Sequence, residues 1–486
     1  MYKIIFKNSA IYGILPQLPK IGALFVLPLT TPFLSAVDFG VVGTVSSYTY
    51  ATSVFNLLGL EAVIQIAFFH YPKQYKWLWR QLYGFITLWS IIYIALLAVL
   101  LYNIIPPEAH EQRWEIVFIK VLPLLLFVPS EFFAISYYVL NQKALPVASR
   151  SLILGFISLF FNYYFIAHLK MGYMGWFLAD MIAGCITGFV FCLPLYTKWK
   201  LTPIFNFKWR LIKKSLKIAL PLIPHNYSAY MLDSSDRVIM ERVGMTTANI
   251  GRYSLAYNFG KYVETVTLAA GQAVGPLLLQ NIKKKNWRDY EKLVFYFQSL
   301  VLFACFTLAL WIPQWLPLLV RNNELLDIQT LMVVIILSYS YRPIFNGCNQ
   351  IAYYYEKSNV LWRITFVAGI INIILNLIFI PIYGLAAAAI STFLAFMFVA
   401  FAGFTFKFYK DVKDLNLKPL FWLLMICASL GAALILLNVH FYWKIASNIF
   451  MLLLLFFISD RTYEKGSLVN KIKLFFIKNY FSKNKK

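Results

Sequence analysis

The chain has 486 residues, 60% hydrophobic and 13% charged, with a mean hydropathy of +0.68, whereas a soluble globular protein carries about 25% charged residues. Apolar stretches of roughly 20 residues recur from end to end, continuous rather than alternating; this points to an all-α polytopic membrane protein and excludes a β-barrel. The net charge of +24 would suggest nucleic acid in a soluble chain, but Lys and Arg fall in every second loop. That is the pattern of a cytoplasmic face meeting anionic membrane lipids, so no nucleic-acid partner is expected.

Fourteen transmembrane helices are predicted, near 9–34, 38–66, 82–104, 114–139, 146–168, 172–195, 214–243, 247–280, 289–313, 327–350, 358–380, 384–407, 418–438 and 442–460. The opening MYKIIFKNSAIYG has no small-residue cleavage site after it and reads as an uncleaved first helix. Basic loops hold Lys73, Lys76 and Arg80; Lys198, Lys200, Lys208, Arg210 and Lys213; Lys283, Lys284, Lys285 and Arg288; and Lys407, Lys410, Lys413 and Lys418. Lys3 and Lys7 precede the first helix, and the tail ends KNKK. The opposite loops, PPEAHEQRWE, RNNELLD and PIYG, are acidic or nearly neutral. Both termini are therefore expected on the cytoplasmic side. The turn 241–252 departs mildly from the rule, with Arg242 and Arg252 outside. The five cysteines are scattered through apolar segments, with no Cys-x-x-Cys pair, so neither a disulfide framework nor a metal site is expected.

An internal repeat divides the chain. PQLP (Pro16, Pro19) opens the first helix and PLIP (Pro221, Pro224) the seventh. DFG (Gly40) opens the second and NIG (Gly251) the eighth; Gly155 leads Asn162 by seven residues, as Gly369 leads Asn376. Six helices per half make the repeat parallel. The expected organisation is a bundle at 1–195, a basic, aromatic cytoplasmic linker at 196–213, a second bundle at 214–410, two extra helices at 411–460 and a basic tail at 461–486.

Ionisable groups within apolar helices are expensive and are functional candidates by default. In the seventh helix Asn226, Tyr230, Asp233 and Arg237 follow at spacings of four, three and four, one face of a helix, with His225 and Asp236 flanking. That stripe reads as the wall of a water-filled cavity, or as a helix seam in which Asp233 and Arg237 pair at i,i+4. In the eighth helix Tyr257, Lys261 and Glu264 share a face, where the last two could neutralise each other. Lys20 lies in the first helix with no acid nearby; Arg342 precedes Pro343, Glu131 follows Pro129, and Asp180 sits in the sixth helix. Asp233 and Asp236 lack any nucleophile, base or metal motif around them, so catalysis is not indicated.

The stretch SSDRVIMERVGMTTANIGRYSLAYNFGKYVETV at 234–266, with Asp236-Arg237, a small turn and Gly251 through Tyr257, resembles the polysaccharide (O-antigen type, or Wzx) exporters of the multidrug/oligosaccharidyl-lipid/polysaccharide flippase superfamily; so does LTTPFLSAVDFGVVGTVSSY at 29–48. The resemblance implies a flippase, not an enzyme, in the bacterial inner membrane. It would carry an undecaprenyl-pyrophosphate-linked oligosaccharide to the outer leaflet by rocking two bundles about a central cavity, as a monomer that associates with polymerase or export proteins. Such a substrate needs cationic donors for pyrophosphate; Lys20, Arg237, Lys261 and Arg342 are the candidates, with His225, Asn226, Tyr230 and Tyr257 for the sugar. No cofactor is expected; coupling to H+ or Na+ would use Asp233, Asp236, Glu264 or Glu131. The alternatives are a cation-coupled multidrug antiporter and, against the short outer loops, a membrane enzyme acting on lipid-linked sugars.

Overall fold

The computed structural model describes residues 15–412 and 414–463. Lys3, Lys7, Lys413 and the tail beyond residue 463 lie outside the described residues. All regular structure among the described residues is helical. The helices are α1 (Leu18–Thr30), α2 (Ala36–Asn56), α3 (Glu61–His70), α4 (Tyr75–Ile104), α5 (Arg113–Leu140), α6 (Ala144–Tyr163), α7 (Gly172–Thr197), α8 (Trp209–Ala219), α9 (Ile223–Asp233) and α10 (Ser235–Arg242). They continue as α11 (Thr247–Lys283), α12 (Trp287–Leu310), α13 (Ile312–Leu319), α14 (Gln329–Ser338), α15 (Arg342–Tyr354), α16 (Ser358–Tyr383), α17 (Leu385–Ala402), α18 (Pro419–Leu436) and α19 (Phe441–Tyr463).

Each predicted segment has a helical counterpart, and among the described residues eleven helices are long and apolar enough to cross a membrane. The exceptions are informative. Of the first segment, residues 9–14 lie outside the described residues, and the described part is a short apolar helix, Leu18–Phe33. The seventh is broken into α9 and α10 at Ser234, where φ −145° and ψ −8° leave the helical region. α11 runs for 37 residues, about 55 Å at 1.5 Å per residue, yet is too polar to pass as lipid-facing. The last two of these wall the interior cavities described below.

The first bundle packs α4 and α7 against α5, α6 against α7 and α1 on α6. The second packs α9 on α16, α16 on α17 and α14 between α11 and α17; α18 and α19 lean on α12. Between bundles the principal contact is α2 against α11. Glycine makes it possible. A Cβ on Gly40 would stand 2.0 Å from the Thr247 carbonyl oxygen, and one on Gly251 would stand 1.8 Å from that of Ala36. Positions 36 and 247 are 211 apart, as are 40 and 251, so the contact is reciprocal between equivalent positions of the repeat.

The turn before α2 is fixed by a capping box. Ser35 Oγ accepts from the Asp38 amide (3.2 Å), Asp38 Oδ2 accepts from the Ser35 amide (2.7 Å), and Asp38 Oδ1 accepts from the Tyr173 amide (2.8 Å). The same end of the molecule is tied across the bundles by Thr247 Oγ1 donating to Glu108 Oε2 (2.8 Å) and Asn322 Nδ2 donating to the Leu34 carbonyl (2.8 Å). Tyr48 of α2 donates to Glu241 Oε2 (2.7 Å) and accepts from Arg242 Nε (3.0 Å). This acidic-loop end is closed.

At the basic-loop end, residues 198–208 run as an extended strap along α4. The Ile204 amide donates to the Arg80 carbonyl (2.9 Å), the Lys208 amide to Gln81 Oε1 (2.8 Å) and Arg80 Nε to the Thr202 carbonyl (2.9 Å). The amphipathic α8 follows, apolar at Ile212 and basic at Arg210, Lys213, Lys214 and Lys217. Only the Leu220–Leu222 turn then separates it from α9. Gly59, at φ +71°, abuts the Ala219 carbonyl, where an added Cβ would stand at 2.7 Å. Gly59→Ala is expected to cost about 1–2 kcal/mol from the left-handed backbone alone, read as a lower unfolding temperature of the detergent-purified protein.

Candidate functional site

Two cavities meet at Asp233. One, about 350 Å³, lies between the bundles and is lined from the first by Gly43, Tyr50 and Trp176 and from the second by Arg237, Tyr257 and Lys261. The other, about 420 Å³, lies inside the second bundle between α9, α11, α15, α16 and α17. His225, Asn226, Glu264, Tyr341 and Arg342 are on its wall, and Asp233 lines both.

A chain of four charges crosses from one cavity to the other. Lys261 Nζ stands 2.7 Å from Asp233 Oδ2 and 3.0 Å from Glu264 Oε2; Arg342 pairs with Glu264 Oε1. Two cations and two carboxylates compensate each other, and Tyr257 adds a donor at 3.3 Å from Asp233 Oδ1. Arg237 is different. Its Nη1 donates to the Asp233 carbonyl oxygen (3.0 Å), not to the carboxylate, and its Nε to Ser254 Oγ (3.2 Å). Its guanidinium rests over the Tyr257 and Tyr253 rings, at 4.4 and 5.4 Å. Among the described residues Arg237 forms no ion pair.

Asp236 turns away from both cavities. It is fully buried and accepts from Tyr253 (2.5 Å), Asn376 (2.6 Å) and Thr392 (3.2 Å), all neutral donors. Beside it, Asn376 Oδ1 and Asn372 Nδ2 have no partner. No cluster of three or more His, Cys, Asp or Glu able to hold a metal ion occurs among the described residues.

The matched family model, described as polysaccharide biosynthesis protein, covers residues 5–282, more than half of the 486. The chain belongs to this family. No curated protein matches the sequence. Among solved structures, a lipid II flippase, MurJ, in an inward closed conformation is similar at a TM-score of 0.68 and 14% identity, over 93% of this chain and 98% of that one. A multidrug resistance MATE family transporter of the MOP superfamily is similar in its inward-facing conformation at 0.62 and 14% identity, over 88% and 98%. An outward-facing MATE transporter of that superfamily gives 0.52 and 13% identity, over 87% and 96%. These likenesses identify the fold: this family member is an all-helical, multi-pass membrane protein folded like those transporters.

The single stripe expected on the seventh helix is divided by the break at Ser234. Ser235 Oγ donates back to the Met231 carbonyl (2.6 Å), a local bond that competes with regular helix. Consequently Asn226 and His225 face the cavity of the second bundle, Arg237 faces the one between bundles, and Asp236 is internal. Tyr230 is buried and meets Tyr50 of α2 edge-on at 5.8 Å. Lys20 is exposed on α1, on the side opposite the exposed row Leu18, Phe25 and Leu29; it lines neither cavity and forms no ion pair or hydrogen bond among the described residues. Glu131 is half-buried on α5, lines neither cavity and has no such bond among the described residues. Lys120, not singled out in the sequence, pairs with Asp180 at 3.2 Å. Asn372, Asn376 and Thr392 were also missed as a group. Two asparagines four apart in an otherwise apolar helix were the available signal, since an unmatched amide in hydrocarbon is costly.

Proposed function

We propose that the protein is a flippase that moves an undecaprenyl-pyrophosphate-linked oligosaccharide from the cytoplasmic to the outer leaflet of the bacterial inner membrane by alternating access, for surface polysaccharide biosynthesis. The observation that carries this reading is Arg237: a buried cation with no carboxylate in ion-pair contact among the described residues, on the wall of a cavity between two bundles. A buried guanidinium with no carboxylate in contact is costly to hold there, and a phosphate entering the cavity offsets that cost. Lys20, which forms no ion pair among the described residues, is the second donor. Lys261 and Arg342 are compensated already and serve as polar walls. Both termini are cytoplasmic in this reading, so the closed acidic-loop end faces outward. The unit works as a monomer, and a polysaccharide polymerase is its expected neighbour.

Coupling is assigned to Asp236. Its neutral hydrogen-bond donors, with Asn376 Oδ1 unpartnered among the described residues, suit a group that takes up a proton or a hard monovalent cation. Asp236→Asn is expected to remove the dependence of transport on an imposed ion gradient.

The test uses proteoliposomes and a fluorescent undecaprenyl-pyrophosphate-linked sugar. Flipping is expected in wild type. Lys20→Ala is expected to weaken substrate binding by about 1.5–3 kcal/mol, the worth of one charge-assisted contact, or roughly 10- to 100-fold. Unchanged binding in both Lys20→Ala and Arg237→Ala would sink the proposal. The similarity to a MATE transporter keeps a multidrug antiporter as the second reading; uptake of organic cations by the same vesicles, with no lipid flipping, would favour it.

A further inference from the structure

The cavity inside the second bundle has a chemistry of its own. It is about 420 Å³, within the ~300–1,000 Å³ span of small-ligand sites. Its charges exclude most ligands. The cations at or behind its wall, Arg342 and Lys261, are held by Glu264 and Asp233, so no positive charge is left over for a phosphate or an acidic sugar. The carboxylates are satisfied by the same pairing, so none is left over for an organic cation. A lipid tail would pack on the apolar part of the wall but leave His225, Asn226 and the charge chain without partners.

What remains free is neutral hydrogen-bonding capacity. The His225 ring and the Asn226 amide make no hydrogen bond among the described residues. Arg342 Nε is buried without a partner, and each paired carboxylate oxygen keeps a spare lone pair. Phe345 and Phe396 supply apolar faces on the same wall. Fixed donors and acceptors beside aromatic surface, with no net charge, match a polyol ring: its hydroxyls both give and take hydrogen bonds, and its C–H face lies on an aromatic one.

We propose that this cavity is a saccharide subsite for one uncharged sugar ring of the transported head group, separate from the phosphate donors Arg237 and Lys20. The inference rests on the flippase reading and adds a specificity to it. Asp233 lines both cavities, so a phosphate between the bundles and a ring in the subsite would lie on opposite sides of one residue.

The experiment measures binding of three lipids to the full chain in nanodiscs: undecaprenyl pyrophosphate, the same lipid bearing N-acetylglucosamine, and the same lipid bearing glucuronic acid. Ala229, exposed on the cavity wall and free of polar side-chain contacts, is replaced by Phe to fill the space, and by Leu as a milder filling. In wild type the N-acetylglucosamine lipid is expected to bind about tenfold tighter than undecaprenyl pyrophosphate, the worth of one or two neutral hydrogen bonds. The glucuronic acid lipid gains nothing. In Ala229→Phe and Ala229→Leu the ratio between the first two lipids falls to about one. A preference that survives both fillings, an equal preference for the glucuronic acid lipid, or no preference in wild type overturns the subsite while leaving the flippase reading in place. Failure of all three lipids to bind wild type overturns both.

Discussion

Replacing Gly251 by leucine is expected to abolish transport and leave the acidic-loop end of the protein open. The missing side chain would fall 1.8 Å from the Ala36 carbonyl oxygen and 2.7 Å from the Gly40 amide nitrogen. Both are backbone atoms, so no rotamer change relieves the clash and α2 and α11 have to part. Overpacking costs about 1–3 kcal/mol where side chains can adjust; with backbone on both sides the upper end applies. A penalty of ~3 kcal/mol against the closed arrangement shifts its population by more than 100-fold. The readout is a cysteine at Ser47, buried at 3% exposure on the cavity between the bundles, in a background without the five native cysteines. An impermeant maleimide added from the acidic-loop side is expected to label it rapidly in Gly251→Leu and barely at all in the parent. Equal labelling rates would show that this crossing is no gate.

The second large effect is on stability. Glu264→Ala strips Arg342 of its carboxylate and leaves Lys261 with Asp233 alone. Removing one partner of a buried pair costs about 3–5 kcal/mol because the remaining charge stays desolvated. The cavities admit water, and Lys261 and Arg342 are 36% and 26% exposed, so about 2–4 kcal/mol is expected after screening. The second change Arg342→Met removes the orphaned cation, and Glu264→Ala/Arg342→Met is expected to recover more than half of the loss. The measurement is thermal unfolding of all three variants in one detergent. A double variant less stable than Glu264→Ala would show that the charge chain is not what links these positions.

The helices, their order and the basic face were legible in the sequence because hydropathy and loop charge are local properties. The reciprocal glycines were legible as a pair: DFG and NIG marked equivalent positions, although nothing in the text of the chain said that the two touch. The site was less transparent. Spacing placed Asp233, Asp236 and Arg237 near one face, yet beyond the non-helical Ser234 Asp236 is buried away from both cavities while Asp233 and Arg237 stay on the one between the bundles. Partner choice also escaped. Asp233 and Arg237 are set for an i,i+4 pair, but Lys261, 28 residues away, takes the carboxylate. Arg342 finds Glu264 across 78 residues. Such pairings depend on how helices pack, which no window of sequence contains.

The strap at 198–208 bears on what kind of cargo can pass. Because it is bonded along α4, the free chain between the two bundles shrinks to the turn at Leu220–Leu222. Two bodies stitched together at one corner cannot draw straight apart; they open as the covers of a book do, bound along a spine and widest at the far edge. A slit of that shape stays continuous with the surrounding bilayer. Under the flippase proposal a sugar head would travel through the gutter of the book while its long hydrocarbon tail trails outside the fore-edge, never leaving oil.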